Sequence, residues 1–188
     1  MSELAKKLAG RFIVIDGPDG AGKSTQIRML IDYLKTHGVE LAVTRDPGGT
    51  PIGDKIRAIL LDNSHGEMAV PCELMLYMAS RAQLVHQVIA PALHSGKCVL
   101  CDRYVSATIA YQGAGGIAAE PIRRSADIAT GGLWPVLTII LDTPTEIGLG
   151  RVGHTGGIDR MEAKGLEFHS KVRRIFLDQA PPSRKNSP

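Results

Sequence analysis

The chain has 188 residues, 44% hydrophobic and 22% charged, with a formal net charge of +3. This is the balance of an ordinary globular protein with one sizeable core, and one domain spanning 1–188 is the default. The charge is too small, and the basic residues too scattered, to mark a nucleic-acid or anionic-membrane surface, and no run of 18 apolar residues could span a bilayer.

In chain order, the opening MSELAKKLAG lacks the apolar stretch of a signal peptide, so a cytoplasmic location is expected. RFIVID (11–16) is the first strand candidate, followed by ELAVTR (40–45), KCVLCD (97–102) and VLTIILD (136–142). Between and after them the pattern predicts helices at about Lys23 to His37, Ile52 to Asp62, Pro71 to Ser95, Pro121 to Thr130, Glu146 to Arg151 and Met161 to Gln179. Pro71 suits a first helical turn, and Gly38 and Gly96 suit helix stops. Short, near-continuous apolar runs alternating with longer helices predict an α/β fold. Its parallel sheet has about four strands, covered by helices on both faces. The polar, proline-rich end at 180–188 reads as a frayed tail.

Cys72, Cys98 and Cys101 are odd in number, which argues against a disulfide framework. KCVLC contains CxxC, but residues three apart on a strand point to opposite faces and no second pair completes a zinc site, so buried thiols are the reading. The six histidines show no ligand spacing.

Residues 17–24, GPDGAGKS, satisfy GxxxxGK[ST] between an apolar strand and a helical pattern. Glycines let the backbone curl so that successive N–H groups face one anion. The helix start adds partial positive charge, Lys23 bridges terminal phosphates and Ser24 can ligate magnesium. A carboxylate at a neighbouring strand end completes such a metal site. Asp102 and Asp142 both qualify by spacing; Asp102 is preferred because Arg103 follows it.

Ligands of an open parallel sheet gather at the carboxyl ends of its strands. The second strand exits into TRDPGGT with Arg45 and the third into DRY with Arg103. Two arginines beside a phosphate loop exceed what one triphosphate needs and point to a second phosphorylated ligand. A phosphate monoester is largely ionised at neutral pH, with its second pKa at about 6, so such an acceptor needs no general base.

These stretches resemble the thymidylate kinases, P-loop enzymes that phosphorylate dTMP to dTDP with ATP and magnesium. IDGPDGAGKST, TRDPGGT, LMLYMASRAQ, DRYVSATIAYQG and LDTPTEIGLGR occur in that family's order and at about its spacing, from Phe12 to Asp178. The resemblance implies an ATP site from Gly17, Pro18, Asp19, Gly20, Ala21, Gly22, Lys23, Ser24 and Thr25, with Arg151 on the adenine side. It implies that Asp19 contacts the acceptor's deoxyribose and that Arg45 and Arg103 lie near its phosphate. Tyr77 would stack on the base, Arg81 would read the base edge, and Thr108 and Tyr111 would line the pocket, with Tyr111 excluding a 2′-hydroxyl. Magnesium at Ser24 and Asp102, and a homodimer formed through helices, are also implied.

The sequence departs from the family pattern in three places. Ala107 stands where a serine is common. A lid at about 152–160 has Gly153 and Thr155 where arginines often stand, leaving Arg160 as the catalytic cation to join Lys23 and Arg103, with Arg151 and His154 as the other cations nearby. The family's further strand and helix have no counterpart before Pro188, so a four-stranded sheet with an open edge is expected. Besides dTMP kinase, the residues leave open a kinase for another monophosphate and a nucleotide binder without turnover. A GTPase is disfavoured because no NKxD segment exists, the only asparagines being Asn63 and Asn186.

Overall fold

The alternating side chains of β1 (Phe12–Asp16) set the layering, because this strand is buried along its whole length. On one face Phe12 and Val14 join Val99 and Cys101 of β3 (Cys98–Asp102). That cluster is closed by Leu74 and Met78 of α4 (Val70–Leu84), Ile109 of α6 (Val105–Ala114) and Ile122 of α7 (Ala119–Thr130). On the other face Ile13 and Ile15 join Cys98 and Leu100, covered by Ile27 and Leu34 of α2 (Lys23–Thr36) and Ala5 of α1 (Glu3–Leu8). A period of two with both faces apolar is what a strand covered by helices on each side requires. Cys98 and Cys101 therefore belong to opposite layers, both buried and both free thiols. The structure is a computed structural model, and the residues described are 2–152 and 159–180. The core of the expected lid, 153–158, and the tail beyond Ala180 lie outside them.

With β2 (Leu41–Arg45) and β4 (Leu137–Ile140), the four strands form a parallel sheet in the order β2-β3-β1-β4. Register aligns the carboxyl ends: Arg45 sits opposite Asp102, Ile15 opposite both Asp102 and Ile139, and Asp16 opposite Ile140. The segments after β1, β2 and β3 consequently open at one end of the sheet. β4 lies at an edge with Leu137 and Ile139 partly exposed.

The remaining helices are α3 (Pro51–Leu61), α5 (Ala90–His94), α8 (Thr145–Val152) and α9 (Gly165–Gln179). The helix expected from Pro71 to Ser95 is α4 and α5 joined through a π turn, Val85–Ile89. Pro91 supplies the reason, since it has no N–H to return to the preceding turn. Two helices were not expected. The short α1 is capped by Ser2. α6 was missed because it is buried nearly all round, from Val105 through Gln112 with only Ser106 half-buried, and shows no apolar stripe. It packs against α9 through Tyr111, Val172 and Phe176. Among the described residues no helix is long and apolar enough to cross a membrane.

Candidate active site

The loop after β1 is held in shape by its backbone. Gly17, Gly20 and Gly22 take positive φ, and a Cβ on Gly20 would collide with the Gly148 carbonyl, so the loop lies directly on α8. α2 then starts at Lys23 with Gly22 as an N-cap that lacks a side-chain hydrogen bond, and its first turn carries no acid. The amides of Lys23, Ser24 and Thr25 thus face outward at the positive end of a helix, beside Pro18, Ala21 and the loop glycines. Arg151 of α8 donates to Gly20 O at 3.0 Å.

Lys23 is buried and donates to Gly17 O at 3.1 Å and to Pro18 O at 2.8 Å. Burial, and then the charge of Arg103, lower its pKa to about 8, although Asp19, Asp16 and Asp102 oppose them.

Arg103 joins this loop to the end of β3. Its backbone is left-handed, φ 68°, the only positive φ among described non-glycine residues. Its Nη1 donates to Gly17 O at 2.9 Å and lies 3.4 Å from Asp16, while its Nη2 donates to Asp19 and to the Tyr111 hydroxyl at 3.3 Å. Tyr111 donates in turn to Asp19 at 2.6 Å. Burial alone would raise the Asp19 pKa, but Arg103, Lys23 and Tyr111 outweigh it and hold the carboxyl below its usual range. Burial wins at Asp16, whose pKa is raised despite Arg103 and a 2.6 Å bond from Ser106. Tyr111, buried beside Asp19, has its pKa pushed far up and stays a donor.

Beyond Arg103 lies a cavity lined by Asp19, Asp46, Arg57, Tyr77, Arg81, Ala107, Thr108, Tyr111 and Gln112. Tyr77 and Arg81, one turn apart on α4, share its wall. Arg81 is 1% exposed and paired with Asp46 at 2.5 Å; it also donates to Thr108 at 2.8 Å and Tyr104 O at 3.2 Å. Leaving either member of such a buried pair without its partner costs about 3–5 kcal/mol, so the Arg81 side chain is fixed.

A shallower open pocket beside the loop is lined by Ser24, Arg45, Asp54 and Asp102. The Asp102 Oδ1 atom is buried without a hydrogen-bond partner among the described residues, whereas Asp142 is bound in a bidentate pair with Arg173 at 2.7 and 2.8 Å. Spacing left these two aspartates open; only Asp102 has an uncommitted oxygen near Ser24. No three His, Cys, Asp or Glu side chains among the described residues form a metal cluster. Ser24 and Asp102 therefore suit a divalent ion that takes its other ligands from phosphate and water, as magnesium does.

Arg45 and Arg160, both expected at the site, are each paired with a carboxylate. Arg45 is half-exposed in the open pocket beside Ser24 and Asp102 and pairs with Asp54 at 3.3 Å. Arg57 lines the deep cavity, donating to Pro47 O at 3.1 Å, its pKa lowered first by burial and then by Arg45. Arg160 is not a free cation. It is 6% exposed, its Nη2 donating to Glu73 at 2.6 Å and its Nε to Leu60 O at 2.8 Å. Three other site residues, Asp46, Gln112 and Asp16, were also missed. Arg57 had one signal, its place one turn after Gly53 on a helix that Thr50 caps at the site's edge.

A glycine loop opening α2 on a parallel sheet, with a cation-lined cavity across from it, defines a P-loop phosphotransferase fold with places for two anionic ligands. A thymidylate kinase family model matches residues 15–187. The thymidylate kinase of Ectopseudomonas mendocina is 47% identical over 174 residues, covering 92% of this chain and 83% of the relative. That of Exiguobacterium is 48% identical over 170 residues, covering 90% and 80%. The crystal structure of thymidylate kinase from Ehrlichia chaffeensis superposes with a TM-score of 0.73 at 31% identity, covering 90% of this chain and 82% of that one. The chain belongs to the thymidylate kinase family.

The depressed lysine gives a pH signature. Bound phosphate raises the Lys23 pKa from about 8, so ATP binding takes up about 0.1 proton at pH 7 and about 0.9 at pH 9. Calorimetry in buffers of different ionisation enthalpy counts these protons; an uptake that does not grow between the two pH values would contradict the assignment.

Proposed function

We propose that this protein transfers the γ-phosphoryl group of ATP to dTMP, giving dTDP, by in-line displacement between two ligands on either side of Arg103. The observation that carries the reading is that guanidinium, which binds both loop and cavity walls. The loop amides and Lys23 hold the donor phosphates. Arg103 and Arg57 hold the acceptor phosphate, whose oxygens are already ionised and act as nucleophile without a general base. Alignment and charge neutralisation then supply most of the rate. Magnesium, held by Ser24, Asp102 and the donor phosphates, would supply further neutralisation of developing charge.

In the cavity, Tyr77 offers a ring face to the base, and Arg81 and Gln112 offer polar atoms to its edge. Asp19 and Tyr111 meet the sugar, where the tyrosine ring leaves little room for a 2′-hydroxyl. With Arg160 committed to Glu73, a nucleotide binder without turnover is the competing reading. Coupled measurement of ADP formation with dTMP, dUMP, CMP and AMP separates the two. Turnover fastest with dTMP supports the kinase; ATP binding with no turnover on any acceptor supports the binder. Replacing Arg103 by Ala should lower kcat about 1,000-fold while ATP affinity changes little; equal losses in both would assign Arg103 to the donor alone.

We also assign the biological unit as a homodimer, formed through α3 and α4. These helices pack side by side and leave Ile52, Ile59 and Met75 43–55% exposed, apolar side chains that a partner subunit would cover. Sedimentation should give twice the 20.1 kDa chain mass; the single-chain mass at micromolar concentration would rule it out.

A further inference from the structure

Gln112 lines the cavity with an unusual half-satisfied amide. Its Nε2 donates to Glu73 at 2.7 Å, while its Oε1 is buried without a partner among the described residues. Glu73 is 1% exposed and lies outside the cavity wall. Arg160 at 2.6 Å and Lys164 at 3.2 Å also donate to it. All three neighbours donate to its carboxylate. An ionised carboxylate only accepts, so the amide of Gln112 turns its NH2 to Glu73, which leaves its oxygen as the unpartnered end of a cavity-lining side chain. Across the same cavity, the Nη1 of Arg81 has, among the described residues, only the Met78 sulfur, at 3.4 Å, as acceptor.

We propose that Glu73 is a positioning residue for base selection: it fixes the sense of the Gln112 amide, so that the cavity presents an acceptor at Gln112 together with a donor at Arg81. This rests on the monophosphate-kinase reading above and names how its site chooses a base. A pyrimidine with N3–H and a 4-oxo group complements that pair. Cytosine presents an unprotonated N3 and a 4-amino group, and so reverses both partners. Asp46 Oδ1 is a second unpartnered oxygen at the cavity, but a carboxylate accepts through either oxygen. Only an amide has a sense that a neighbour can reverse, and Glu73 is the neighbour that sets it. The same carboxylate also binds Arg160 and Lys164, which hold it in place behind the cavity wall.

The test compares kcat/KM and equilibrium binding for dTMP and dCMP in the full chain. In Glu73→Gln, Arg160 and Lys164 claim the new carbonyl, its NH2 faces Gln112, and Gln112 turns its own NH2 to the cavity. The dTMP-to-dCMP ratio should fall about tenfold or more, with dCMP gaining in absolute terms. Glu73→Asp, still an acceptor only, should keep the wild-type ratio within about twofold despite lower stability. Lys164→Met, which disturbs the cluster but spares the Gln112 bond, should keep it too. A folded, ATP-binding Glu73→Gln variant with an unchanged ratio would overturn the proposal, as would an equal fall in Lys164→Met. If Glu73→Gln does not fold, Glu73→Asp decides: a retained ratio supports the proposal and a tenfold fall overturns it. Wild-type protein that binds neither monophosphate would instead overturn the substrate assignment, a result these variants do not mimic.

Discussion

The site depends on one side chain held in an unfavourable backbone conformation. Arg103 leaves β3 with φ 68°, a region that costs a non-glycine residue on the order of 1–3 kcal/mol. In return its guanidinium reaches Asp16 at the end of β1, the Gly17 carbonyl, Asp19 within the loop, and Tyr111 on α6. Four residues from two distant stretches of the chain, 16–19 and the α6 position 111, meet on one planar, permanently charged group. A lysine could not replace it, because a single ammonium cannot present two nitrogens in a fixed fork.

Around that group the charges are arranged in opposition. Burial and the charge of Arg103 lower the Lys23 pKa, and Asp19 and Asp16 moderate the effect. The two carboxylates balance the two cations within the protein, and the cations still have donors to turn toward phosphate. Two phosphorylated ligands would approach them from opposite sides, one from the loop and one from the cavity. The same logic extends outward through Glu73, where a buried carboxylate gathers Gln112, Arg160 and Lys164 behind the cavity wall.

Much of this was legible in the sequence for a physical reason. The phosphate loop reads clearly because backbone curvature and helix start both demand particular residues at fixed spacing, and the strands read clearly because burial on both faces leaves continuous apolar runs. Tyr77 and Arg81 could be paired because residues four apart on a helix share a face. α6 was not legible, since a helix buried on every side has no amphipathic signature. Nor were the fates of the arginines. Whether Arg45, Arg57 or Arg160 meets a ligand is decided by tertiary neighbours, Asp54 for one and Glu73 for another, which local pattern does not contain. Residues 153–158, the arginine-poor core of the expected lid, lie outside the described residues.

The most direct measurement of the central claim is the affinity of thymidine against that of dTMP, each in wild-type protein and in Arg103→Met. If Arg103 holds the acceptor's phosphate, the advantage of dTMP over thymidine should be large in wild type and fall about tenfold or more in the variant, while thymidine binding changes little. Parallel loss of both affinities, with the dTMP advantage intact, would contradict the account.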